Sequence, residues 1–371
     1  MFLAIRDIRF AKGRFALMGA VVALISLLLV LLSGLTAGLG NQSTSAIADL
    51  GKSTQAPVDQ LAFGAPGAND PKVSFTESQV TKNQVSAWSE QPNVASAVPL
   101  GISQTRFQGA GDTKGTTNVA VFGVGAGGTE AGIAPSALSD SGVVIGENVA
   151  KELHLGVGDE ASLGGTTLKI SAVVPEQWYS HTSVVWTTLP TWTAMSHLSD
   201  PTQLATVVAV TYKAGMQVDV ESANAAAGTI STSRSGSFQG LGGYKSENGS
   251  LMMMQAFLYG ISALVIVAFL TVWTVQRTRD IAVLKAMGAS SGYLLKDALT
   301  QAAIVLLAGA ALGGLVGVAG GFFAAKAAPF IVSPATTLLP VIGIVALGLA
   351  GAALAVRKVT RVDALIALGG N

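Results

Sequence analysis

Four stretches of the chain, residues 15–39, 251–275, 298–325 and 335–356, carry no charged side chain and run for 22 to 28 residues each. A helix needs about 20 mostly apolar residues to cross the ~30 Å hydrocarbon layer of a bilayer. Lipid cannot satisfy the backbone of an open strand, so helices are the conformation left to these runs. Charged residues make up only 12% of the 371-residue chain, about half the share of a soluble domain. The chain therefore reads as an integral membrane protein with four spans. The first run is longer than the ~7–15-residue apolar core of a cleaved signal peptide and is read as a retained span.

Charge sets the expected orientation. The segments 1–14, 276–297 and 357–371 together hold eleven Lys/Arg against four Asp/Glu, whereas 40–250 holds ten against seventeen. Positive loops stay in the cytoplasm. Both termini and 276–297 are thus expected inside a plasma membrane, and 40–250 outside it. Within residues 1–14, Phe2, Ile5 and Ile8 stand at helical spacing among Arg6, Arg9 and Lys12, the pattern of an amphipathic helix on the inner leaflet.

The outer segment reads as a mixed α+β domain inserted between the first and second spans. Strands are expected at 119–124, 142–146, 166–174, 183–187 and 206–212, where short apolar or alternating runs are bounded by turn residues. Helices are expected at 80–88, capped from 76–79, and at 148–155. The Gly/Ser-rich stretch 231–249 reads as a linker back to the membrane.

Few residues carry recognisable chemistry. Cysteine is absent, which removes disulfides, Cys-ligated zinc and iron–sulfur clusters. Leu50-Gly51-Lys52-Ser53-Thr54 imitates the end of a phosphate-binding loop, but Ala46 stands where the first glycine belongs and an apolar span, not a strand, precedes it. His154, His181 and His197 lack metal-ligand spacing. The four runs contain no ionisable group of the kind that ion-coupled carriers use. Gly309, Gly313, Gly317 and Gly321 repeat every fourth residue along the third span, and such small residues let helix backbones approach closely. Gly343, Gly348 and Gly351 make the fourth span its expected partner.

The most informative stretch runs from Arg277 to Ala289. It combines Arg277, Arg279, Asp280, Ile281, Leu284 and Lys285 with a glycine stop at Gly288, directly after the second span. It reads as a short amphipathic helix whose apolar positions suit docking of another protein.

This stretch resembles the R-x-x-[ED]-I-x-x-L-K-A-x-G-A signature of MacB/FtsX-type ABC-transporter permeases, with Asp280 at the acidic position. Residues 143–175 resemble the extracytoplasmic core domain of that family, and 357–368 its final cytoplasmic stretch. The one-plus-three layout of spans around a large outer domain is also the family's. The resemblance implies a homodimeric permease with no catalytic residue and no intrinsic cofactor. It further implies two copies of a separate ATPase, which bind the ATP and dock on Arg277–Gly288; nucleic acid has no part. In length and layout the chain is most similar to haem-efflux permeases of the HrtB type, which makes haem the expected cargo. Tyr244, Glu247, Met252, Met253 and Met254 gather phenolate, carboxylate and thioether groups near the start of the second span, all haem-iron ligand types. Export of an antimicrobial peptide, lipid or lipoprotein, or FtsX-like signalling to an outer partner, are the alternatives.

Overall fold

The computed structural model describes residues 12–52, 57–109, 115–198, 200–276, 283 and 287–359. The expected interfacial helix at the N-terminus, most of the docking stretch and the tail beyond 359 lie largely outside them. The chain divides into two compact units, residues 1–39 with 248–371, and residues 40–247.

Among the described residues, the first unit holds four helices long and apolar enough to cross a membrane. Helix α1 spans Lys12–Ala48, and its first 28 residues belong here. Three more helices follow the outer segment. We number them α6 (Tyr244–Gln276), α7 (Ser291–Ala324) and α8 (Pro334–Val359), leaving α2–α5 for the outer domain.

Helix α8 packs on α7 as the sequence leads one to expect, and Gly309, Gly313 and Gly317 of the stripe add a close approach to α1, while Gly321 meets Phe330. A Cβ on Gly309 would lie 2.7 Å from the Gly19 carbonyl oxygen, one on Gly313 would strike the Ala23 carbonyl, and one on Gly317 would press on Val30. Ser26 adds a buried hydrogen bond, its hydroxyl donating to the Ala310 carbonyl at 3.0 Å. On α8, Gly348 lies against Leu306 of α7, but Gly343 and Gly351 face Tyr259 and Val267 of α6. Close approach is favoured wherever two small-residue faces can meet, and α1 offers Gly19 and Ala23 at the right level. Phe15 and Trp273 meet edge to face at 4.7 Å, tying α1 to α6, and the Gln255 amide donates to the Thr36 hydroxyl at 3.1 Å.

The second unit is a mixed sheet with helices on it. Its ten strands are β1 (Gln60–Phe63), β3 (Val94–Gly109), β4 (Thr116–Val124), β5 (Gly142–Gly146), β6 (Glu160–Leu163), β7 (Thr166–Val174), β8 (Trp178–Tyr179), β9 (Thr182–Thr188), β11 (Val207–Tyr212) and β12 (Ile230–Ser233). They follow the order β12-β1-β11-β3-β4-β9-β5-β7-β6, and β8 pairs with β9. Strand β3 also pairs with β6, so the path from β3 through β4, β9, β5 and β7 closes on itself. Strands β2 (Val80–Thr81) and β10 (Gln203–Ala205) form a separate pair.

Successive side chains of a strand point to opposite faces, and here both faces are buried. Val119 and Val121 of β4 enter one core with Trp88, Phe107 and Trp192. Ala120, Phe122 and Val124 enter the other with Leu61, Phe63 and Trp186. This double burial is why β4, β5 and β9 read as continuous apolar runs. The second core also takes Ala46, Ile47 and Leu50 from the end of α1.

Two local expectations change. The helix expected at 80–88 is α2, Lys82–Ser89, capped by Thr81 in a capping box with Gln84. Val80 and Thr81 pair with β10 instead, so the cap lies closer to the helix than 76–79. The expected linker 231–249 is largely structured. Ile230–Ser233 pairs with β1, a 3₁₀ turn follows at Gly236–Gly240, and α6 begins at Tyr244. An edge strand is held by backbone bonds, so its side chains can be Ser and Thr without forfeiting pairing.

The remaining helices are α3 (Glu147–Leu153), α4 (Leu189–Ser196) and α5 (Val220–Ala227). Glu176 caps α3, its Oε2 accepting from the Asn148 amide at 2.6 Å, while Oε1 is buried without a partner. Burial pushes its carboxyl above the usual carboxylate range, the Asn148 bond opposing and nearby Glu147 adding to the rise. The folded chain therefore holds this proton more tightly than the unfolded one, and stability falls as pH rises through the raised value. Glu176→Gln keeps the acceptor and removes the titration. It is expected to raise stability at neutral pH and flatten the pH dependence above about 4.5, measured as thermal midpoints across pH.

Candidate functional site

The five candidate cargo residues lie on one helix, α6. Within the outer unit, Tyr244 rests against Phe238, ring centroids 6.0 Å apart, and joins the edge of the second core. Glu247 accepts at 2.9 Å from the imidazole of His181. Within the membrane unit, Met252 and Met253 are each 60% exposed and Met254 49%. Successive helical residues are turned by about 100°, so the three thioethers fan around the helix and do not converge on one point. Asn248 donates weakly to the Met252 sulfur at 3.9 Å.

His181 is the residue that sequence reasoning set aside. It sits with Ser180 in the two-residue turn joining β8 to β9, both at positive φ (+62° and +46°), the twist that suits a tight hairpin. The turn docks on the end of α1. The Ser180 and His181 amides donate to the Ser43 and Gln42 carbonyls at 3.1 and 3.0 Å, and the imidazole lies 3.1 Å from the Ser43 hydroxyl. Ser45 completes the seam, its hydroxyl accepting from the Trp178 amide at 2.8 Å. Ser43, His181 and Glu247 thus form a polar clasp between the hairpin, the end of α1 and the first turn of α6. Ser-His is not a usual hairpin turn pair, and Glu247 is 66 residues away in the chain. No local signal announces the contact.

Of the stretch expected to dock a partner, Arg277, Arg279, Asp280, Ile281, Leu284 and Lys285 lie outside the described residues. Gly288 has φ +96°, a conformation that ends a helix and favours glycine. The neighbouring apolar side chains are open to solvent: Met287 is 71% exposed and Val283 44%. Ser290 then caps α7, accepting from the Tyr293 amide at 3.2 Å.

Elsewhere the outer unit has a polar cleft of about 650 Å³ lined by Asn69, Asp70, Lys72, Glu77 and Gln79. Among the described residues, no group of three or more His, Cys, Asp or Glu side chains is placed to hold a metal ion. Lys52 of the imitation phosphate loop is engaged with Asp49 at 2.6 Å.

A permease architecture of four apolar helices with a sheet-rich domain between the first and second is what these features define. Residues 15–230 match the MacB-like periplasmic core domain and residues 252–364 the FtsX-like permease C-terminal family. The chain belongs to the MacB/FtsX family of ABC-transporter permeases, membrane subunits that work with a cytoplasmic ATPase. It is 24% identical, over the whole length of both chains, to a Staphylococcus epidermidis protein named as a hemin transport system permease, HrtB. It is equally 24% identical to an uncharacterized ABC transporter permease of Mycobacterium bovis, over all of this chain and 99% of that one. Among solved structures, the periplasmic region of MacB from Actinobacillus actinomycetemcomitans aligns with a TM-score of 0.36 at 12% identity, over 52% of this chain and 94% of that one.

Proposed function

We propose that the chain is the membrane subunit of an ABC efflux pump that exports haem, working as a homodimer with two copies of a separate ATPase docked on Arg277–Gly288. The observation that carries the cargo is the end-to-end similarity to a protein named for hemin transport. Physical chemistry supports it. Haem is apolar over its ring and charged only at its propionates, so a lipid-facing site with a polar rim suits it. The four uncharged runs offer no ion-coupling group, which leaves ATP hydrolysis in a partner as the energy source. The charge split between 40–250 and the other loops supports cytoplasmic termini in the plasma membrane.

In this reading the exposed thioethers of Met252–Met254 meet cargo within the bilayer. Tyr244 and Glu247 form the polar rim, with the Glu247 carboxylate held by His181 until cargo arrives. Apolar contact supplies most of the affinity, and ligation selects the iron porphyrin over the metal-free ring. The purified protein is expected to give a haem Soret band that shifts when Glu247 or the three methionines become Ala. Cells carrying these variants are expected to lose haem tolerance with protein level and ATPase rate unchanged. A wild-type protein that neither binds haem nor protects cells from it would sink the cargo assignment. Haem binding identical in every variant would instead remove Glu247 and the three methionines and leave the cargo.

A further inference from the structure

A groove of about 440 Å³ runs between α1 and α7 at the Lys12 end of the bundle, inside the membrane unit. Phe15, Val305 and Leu312 wall it, and its floor is where Gly19 and Gly309 bring the two backbones together. Along each helix it spans eight residue steps, Lys12 to Ala20 and Ile304 to Leu312. At 1.5 Å per residue that is about 12 Å, close to the ~15 Å hydrocarbon depth of a single leaflet. Its lining is apolar except at one end, where Lys12 stands exposed. Lys12 has no acidic partner among the described residues, and no carboxylate lines the groove. The neighbouring cation, Arg14, lies instead over the Trp273 ring at 5.9 Å.

We propose that this groove is a binding site for an anionic phospholipid, with one acyl chain along the floor and the headgroup phosphate at Lys12. A groove in the hydrocarbon layer is filled by lipid or protein, because water there finds too few polar partners. Two features favour a lipid: an apolar length close to the depth of one leaflet, and, among the described lining residues, one cation at the end where a headgroup phosphate would lie. Hydrocarbon contact is available to every lipid, so selectivity rests on Lys12. One basic residue at a membrane surface is worth about a fivefold preference for an anionic lipid.

Native mass spectrometry of the full-length protein, released from bilayers of equal phosphatidylglycerol and phosphatidylcholine, tests the site without haem or ATPase. Its result is therefore independent of the cargo assignment. The wild-type protein is expected to retain phosphatidylglycerol about fivefold over phosphatidylcholine, and Lys12→Gln to bring the ratio near one. Gly19→Leu is expected to lower retention of both lipids by filling the floor. The position has room, since a Cβ there meets only Val305 at 3.9 Å. Should Gly19→Leu misfold, Lys12→Gln decides alone. A wild-type ratio of one, or a Lys12→Gln ratio equal to wild type, overturns the proposal. So does a Gly19→Leu protein with undiminished lipid and an altered oligomeric state, which would make the groove a protein interface.

Discussion

If the ATPase docks on Arg277–Gly288 as proposed, replacing Leu284 by Asp is expected to abolish its co-purification with this chain. The stretch from Arg277 to Gly288 places apolar residues at Ile281, Leu284 and Met287 among charged ones. Two of its apolar side chains, Val283 and Met287, are open to solvent. Exposed apolar side chains on a loop between spans are the kind of surface that a partner protein would cover. A carboxylate placed at the centre of such an interface is desolvated without a partner, and hot-spot losses of 2 kcal/mol or more correspond to at least about thirtyfold weaker binding. The measurement is a pull-down from detergent with the ATPase rate of the complex alongside. Leu284→Asp that still carries its ATPase and still stimulates hydrolysis would place the docking surface elsewhere.

Gly313→Val is expected to prevent assembly of the four-helix membrane unit. A Cβ at this position would strike the Ala23 carbonyl, a backbone atom that cannot rotate away, so α1 and α7 must separate. The separation would also strain the Ser26 hydroxyl bond to Ala310. Overpacking of a close contact costs about 1–3 kcal/mol and occasionally more. With Val, which adds two methyls beyond the Cβ, the upper end applies. Gly320→Ala supplies the control on the same helix, because a Cβ there meets only Leu31 at 3.7 Å. Fluorescence-detected size exclusion of the two variants, matched for expression, should show loss of the folded peak for Gly313→Val alone. Equal profiles would mean that α1 and α7 do not meet as described.

Much of the outer domain was legible because several strands are buried on both faces. Val119–Val124 and Gly142–Gly146 lie between two cores, so each is a continuous apolar run. Strand β3 is harder to read. It carries Pro99, Gly101 and alternating exposed residues because it serves three partners in succession, β11, β4 and β6. The two-residue strand β8 and the edge strand β12 are held mainly by backbone bonds and give little side-chain pattern. The clasp at Glu247 escaped for a related reason. Its partners Ser43 and His181 come from the end of a helix and from a hairpin turn, and only the fold brings them together.

The sequence by itself determined that the chain enters a membrane, how many times it can cross, and that a sheet-rich domain separates the first crossing from the rest. Those are local properties: twenty apolar residues meet lipid as a helix whatever their neighbours do. Which helices face one another was decided only by tertiary structure. Every span is strongly apolar and lipid competes on equal terms with protein, so the choice falls to shape. The glycine stripe of α7 is visible in the sequence, but that Gly309 and Gly313 also seat α1 depends on Gly19 and Ala23 standing at matching heights across a packed interface.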